Sequence, residues 1–234
     1  MFKYKHTMKI ILSLFSILIF IFSLIYFVQK YSLNIGLFDD VDIKISGNDY
    51  INSQHIEKEI YPHISSSLLS INLTDMKNNL ESIDYIKAVQ VSRILPNTLM
   101  IHIIERLPRL LIAQNDEITF MDGNGVLLPA NEKSIGTFPV PVLSILNEDV
   151  YTDIYMGDIA QLLYFLLNEY SLFYKNLSEI KIYGDVWEFY SDNNTKIYAH
   201  ASYLKDQLII LKNFENTVYP VRYLQDYHYI DLRI

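Results

Sequence analysis

The chain has 234 residues, half of them hydrophobic, and 27 acidic against 19 basic residues give it a formal net charge of −8. So acidic a surface repels nucleic acid and anionic lipid headgroups. The absence of cysteine removes disulfide staples and thiol chemistry, and the length fits two small domains better than one large one.

Residues 1–9 are a short lysine-bearing tail. From Ile10 to Val28 there are 19 residues without a charge, rich in Ile, Leu and Phe. At about 1.5 Å per residue they match the hydrocarbon core of a bilayer. Lys3, Lys5 and Lys9 precede this segment and only Lys30 follows closely, so the N-terminus is expected inside and the rest outside. Tyr26-Phe27-Val28-Gln29-Lys30-Tyr31 holds no small-residue cleavage site, which favours a retained anchor over a removed signal peptide. Without those four lysines the chain keeps 15 basic against 27 acidic residues, a net of −12 on the exported part. Protein partners suit that charge better than anionic polymers do.

After a linker at 29–37, residues 38–46 alternate apolar with polar and end at Gly47-Asn48, the pattern of a strand and turn. Asn52 and Ser53 are N-cap types for a helix carrying Ile56 and Ile60, which Pro62 stops. Thr74-Asp75 opens a second helix with Met76, Leu80 and Ile83 on one side. Residues 86–108 read as two strands folded back around Pro96-Asn97. Val89 and Val91 share one face, and Leu99, Ile101 and Ile103 share one face of the return strand. The order is strand, helix, helix, strand, strand.

Beyond Pro108 the chain becomes β-rich. Strands are expected at Leu110–Ala113 and Glu117–Met121, then a turn at Asp122-Gly123-Asn124-Gly125 and an extended run from Thr137 to Val142. One long helix is expected from Met156 to Leu177 and another from Tyr203 to about Thr217. Three strands lie between them, at Ile180–Tyr183, Trp187–Tyr190 and Lys196–Ala199, and a last one at Tyr229–Ile234.

Arg93-x-x-Pro96-x-Thr98-Leu99 leading to Glu105-Arg106-x-Pro108 resembles the last two strands of the POTRA domain in the bacterial cell-division proteins FtsQ and DivIB. Tyr85-Ile86, Asp122-x-x-Gly125-Val126 and the Asp231-Leu232-Arg233 motif carry the same resemblance. Two departures accompany it. Gly184 and Asp185 stand where the family often has basic residues, and Ile234 stands where an aromatic residue and a further strand normally follow. The resemblance implies an α+β protein: a transmembrane helix at 10–28, a POTRA domain (β-α-α-β-β) at 38–106, and a β-rich domain with two helices at 107–234. It further implies a single-pass inner-membrane scaffold of the division septum. Such a scaffold holds FtsB-like and FtsL-like bitopic proteins and controls septal peptidoglycan synthesis by binding. The partner site is then expected on the terminal strand at Tyr229, Ile230, Leu232, Arg233 and Ile234, with Arg233 gripping a partner carboxylate.

Enzymatic readings find little support. The six histidines show no His-x-x-x-His spacing, there is no Gly-x-Ser-x-Gly, and the adjacent acids Asp39-Asp40 and Glu148-Asp149 read as solvated loop charge. No catalytic residue, metal site, cofactor or small-molecule substrate is expected. The alternative is a POTRA-bearing transport or envelope-assembly component, although about 130 residues with two helices cannot supply a closed membrane barrel.

Overall fold

The computed structural model describes residues 2–34, 36–65, 67–114, 117–146, 153–193 and 195–233, and only the backbone of residues 2–11, 32–34 and 153–155. The chain divides into two compact units, Met1–Glu105 and Arg106–Ile234.

The first unit opens with helix α1, Phe2–Asn34. Its stretch Leu12–Tyr31 is 20 residues long, buries nothing against the protein, and is long and apolar enough to cross a membrane. Strand β1 (Asp42–Ser46), helices α2 (Ser53–Ile60) and α3 (Leu73–Glu81), and strands β2 (Ile86–Ile94) and β3 (Thr98–Glu105) follow. The Asn52 side chain caps α2 by accepting from the Gln54 N–H at 2.9 Å. Helix α3 starts one residue before the expected Thr74, because Asn72 accepts from the backbone N–H groups of Thr74 and Asp75. The sheet order is β1-β3-β2, with β1 parallel and β2 antiparallel to β3. Val91 faces Ile101 and Val89 faces Ile103 across the hairpin. Together with Leu99 these side chains pack on Ile56, Ile60, Met76 and Leu80 of the two helices. Strand alternation therefore sets which face the helices cover.

The motif residues brace this unit. The Arg93 Nε and Nη2 donate to the backbone carbonyls of Leu68 (2.9 Å) and Ile71 (2.5 Å), tying the hairpin to the loop before α3. The Glu105 carboxylate accepts from the backbone N–H of Tyr50 (3.1 Å) and of Ile51 (2.7 Å), which fastens the turn after β1. Gly47 lies at φ +80°, and a Cβ there would come within 2.1 Å of the Ile103 carbonyl oxygen. Only glycine fits.

The second unit is an eight-stranded mixed sheet in the order β11-β10-β9-β8-β7-β4-β5-β6. Strands β4 (Pro108–Gln114), β5 (Glu117–Asp122), β6 (Leu127–Pro129), β7 (Val142–Ile145) and β8 (Leu177–Tyr183) form one run. Strands β9 (Val186–Ser191), β10 (Lys196–His200) and β11 (Tyr229–Asp231) complete it. Helices α4 (Glu132–Thr137), α5 (Asp153–Asn168), α6 (Ser171–Lys175) and α7 (Leu204–Val218) lie between strands in sequence. Leu163 and Leu166 of α5, Phe173 of α6, and Leu208 and Leu211 of α7 cluster with the inward side chains Leu143, Ile180, Trp187, Phe189 and Ile197.

Three expectations are corrected here. The single helix from Met156 to Leu177 is two helices broken at Glu169-Tyr170, and Leu177 already belongs to β8. The expected extended run links α4, which ends at Thr137, to β7, an additional strand in the middle of the sheet. The described part of this unit therefore holds four helices rather than two. The terminal strand is regular only over Tyr229–Asp231.

Candidate partner-binding edge

β11 lies at one end of the eight-stranded sheet, so among the described residues it has a neighbour on one side only. It runs parallel to β10, with Tyr229 opposite Lys196, Ile230 opposite Ile197 and Asp231 opposite Tyr198. The Lys196 N–H donates to the His228 carbonyl (3.2 Å) and the Leu232 N–H to the Tyr198 carbonyl (2.9 Å). Backbone groups alternate along an extended strand, so those of Tyr229 and Asp231 point away from β10. A strand laid alongside would find its pairing partners there.

The side chains divide between the two faces. Ile230 and Leu232 pack against the core, which fixes the strand in place. Thr195 supports the same corner, its Oγ1 donating to the Leu224 carbonyl at 3.1 Å. Tyr229, 67% exposed, stands on the open face. Ile234 lies outside the described residues.

Arg233 is already engaged. Its Nε donates to Asp231 Oδ1 at 2.8 Å and its Nη2 to Oδ2 at 2.6 Å, a bidentate pair, while its backbone N–H donates to Oδ1 at 3.1 Å. The guanidinium also lies 4.8 Å from the centre of the Tyr198 ring. The Arg233 hydrogen bonds hold the Asp231 carboxyl below its ordinary pKa, outweighing desolvation. Sequence spacing alone left Arg233 open for a partner carboxylate; here a neighbour two residues back occupies the fork of donors.

This pair heads a row of alternating rings and charges across the open face, which sequence reading did not single out. Lys196 Nζ sits 3.1 Å from a Glu188 carboxylate oxygen, 4.9 Å from the Tyr198 ring centre and 5.2 Å from that of Tyr190. Lys181 Nζ sits 3.2 Å from Glu179 and 4.9 Å from the Tyr190 ring centre. The Tyr190 hydroxyl donates to Glu188 at 2.7 Å. The signal was present as i, i+2 pairs: Glu179-x-Lys181, Glu188-x-Tyr190, Lys196-x-Tyr198 and Asp231-x-Arg233. Strand register aligns what sequence distance separates.

The remaining motif, Asp122-x-x-Gly125, is a structural bracket. Asp122, 3% exposed, accepts from the N–H of Asn124 (2.8 Å) and of Val126 (2.9 Å) and pairs with Arg106 Nη1 at 3.0 Å. Gly125, at φ +81°, would put a Cβ 2.8 Å from the Ala160 Cβ, so α5 seats directly on this turn. Among the described residues no three His, Asp or Glu side chains gather as a metal site.

Residues 41–106 match the family model described as the POTRA domain, FtsQ-type. The first unit is thus similar to an FtsQ-type POTRA domain, and the chain to the FtsQ and DivIB proteins. The cell division protein FtsQ of Rickettsia felis is 26% identical over 195 residues, covering 82% of this chain and 68% of the relative. The cell division protein DivIB of Clostridium tetani is 31% identical over 86 residues, covering 37% of this chain and 32% of the relative. For FtsQ of Koribacter versatilis the figures are 23% identity, 46% of this chain and 31% of the relative, so two of these three alignments span about a third of the relative's length. The extracytoplasmic domain of DivIB from Geobacillus stearothermophilus aligns at 19% identity and a TM-score of 0.32, over 50% of this chain and 90% of that one. The relatives are cell division proteins by name.

Proposed function

We propose that this FtsQ/DivIB-like protein is a bitopic scaffold of the bacterial divisome, acting by binding rather than catalysis. α1 anchors it in the cytoplasmic membrane with the lysine-bearing end inside, in keeping with the positions of Lys3, Lys5 and Lys9. The POTRA domain and the second unit then lie outside, at the septum. There the second unit holds FtsB-like and FtsL-like division proteins and so controls septal peptidoglycan synthesis.

The observation that carries this reading is β11. Among the described residues it is paired on one side only, braced from behind by Ile230 and Leu232, and fronted by Tyr229 and the Asp231–Arg233 pair. A partner strand would take its affinity from the outward backbone groups of Tyr229 and Asp231. Selectivity would come from a partner carboxylate that competes with Asp231 for Arg233. The residues expected at this site remain its members in the proposal, with Asp231 and Tyr198 added. A fluorescent fusion to the cytoplasmic end tests the reading in cells. A mid-cell band in dividing cells supports it, and uniform peripheral signal through the cycle argues for a transport or assembly role instead.

A further inference from the structure

The first unit gathers exposed apolar side chains at one end. β1 runs parallel to β3, with Asp42 opposite Thr98, so the Pro96 turn lies at the end where the chain enters from α1. Hydrogen bonds fix this arrangement. The Asp42 N–H donates to the Asn97 carbonyl at 2.9 Å, and Asn97 Nδ2 donates to the Asp40 carbonyl at 3.2 Å. The Leu68 N–H donates to the Phe38 carbonyl at 2.8 Å, bringing the turn at Leu68–Ser70 to the same end.

Four large apolar residues project there: Leu37 (44% exposed), Leu69 (49%), Ile94 (48%) and Leu95 (64%). Singly they would need no explanation. Their convergence on one end does. The distal end of β1 turns through the polar Gly47-Asn48-Asp49, with Tyr50 and Ile104 exposed near it. Only seven residues lie between Asn34, where α1 ends, and Asp42, so the connection spans at most about 28 Å. It is shorter still because the Asp39 N–H closes a turn on the Gly36 carbonyl at 3.0 Å. If the apolar stretch of α1 lies in a bilayer, this end of the domain is tethered at the bilayer surface.

We propose that the tip formed by Ile94 and Leu95, with Leu37 and Leu69 beside it, inserts into the headgroup region of the membrane that holds α1. The tip thereby gives the POTRA domain a second contact with that membrane. This contact rests on the membrane-anchor reading of α1. Asp39, Asp40 and Asp42 flank the tip, so the surface it fits is one of zwitterionic headgroups rather than anionic ones. Apolar side chains held by a folded turn add to anchoring in the manner of a second, weak membrane signal.

The chain lacks cysteine, so single labels are unambiguous. The full chain is reconstituted in phosphatidylcholine vesicles carrying a headgroup-level spin-label quencher. An environment-sensitive fluorophore is attached in turn to the Leu95→Cys, Asp49→Cys and Ile19→Cys variants. All three sites are exposed, so the fold tolerates the changes. The proposal expects quenching and a blue shift at Leu95→Cys, severalfold stronger than at Asp49→Cys, and reversal of both when Ile94→Asp is added. Equal, water-like signals at Leu95→Cys and Asp49→Cys overturn it, and would leave the tip to a protein partner absent from the vesicles. The Ile19→Cys label is read with a quencher at acyl-chain depth. If that label too is unquenched, the anchor reading itself fails, which separates the two claims.

Discussion

Arg233 carries five N–H donors, and the Asp231 carboxylate takes two of them while also receiving the Arg233 backbone N–H. One side chain thus covers a backbone donor near the sheet edge and holds the guanidinium over Tyr198. The folded state lowers the Asp231 pKa. Whatever this pair contributes is therefore fully present above the ordinary aspartate value of about 3.9, and is lost as pH falls through the lower folded value. A carboxyl-carbon NMR titration should place the Asp231 midpoint below 3.9, with a rise in Arg233→Ala. An unchanged midpoint in that variant would mean the two groups do not interact in solution. The buried Asp122 differs in kind. Both of its oxygens are committed within a closed turn, to Arg106 and to two backbone donors, so it braces the fold and offers nothing to a partner.

At the scale of elements, the hairpin β2–β3 shows what alternation can decide. Ile101 is fully buried against the helices, while Met100 points to the opposite face. Ile101→Asp should cost more than about 3 kcal/mol and Met100→Asp less than about 1 kcal/mol in urea unfolding. Equal losses would show that the strand phase is wrong. The same legibility holds for α2, α7, β4 and β5, where periodicity, caps and turn residues agree with the elements that form. It fails where local signals are too short. β7 is four residues beside Pro139 and Pro141, and its place between β4 and β8 depends on pairing that no local pattern encodes. The α5–α6 break is also nonlocal. Tyr170 is buried there, its hydroxyl donating to Glu215 of α7 at 2.6 Å, so a contact 45 residues away fixes where the long apolar run bends. The terminal strand was legible as a strand. Its parallel pairing was not, because that depends on β10, and neither was the closing of Arg233 onto Asp231 and the Tyr198 ring.

Among the described residues the whole molecule carries an apolar helix long enough to cross a membrane, a unit that matches the FtsQ-type POTRA model, and an eight-stranded sheet whose last strand, β11, is paired on one side. The lysines before the apolar stretch of α1 predict that protease added outside spheroplasts digests both folded units and spares only the N-terminal end. Protection of the second unit would reverse the topology and remove the septal role with it.

The partner edge is the central claim, and site-specific photo-crosslinking tests it most directly. A photoreactive amino acid replacing Tyr229, which is two-thirds exposed on the same face of the strand as Asp231, should trap a small bitopic FtsB-like division protein in living cells. Adding Arg233→Glu should abolish that adduct while the circular dichroism of the purified chain stays unchanged. A silent Tyr229 position, with adducts arising instead from probes at Glu57 or Lys77 on the POTRA helices, would contradict the account.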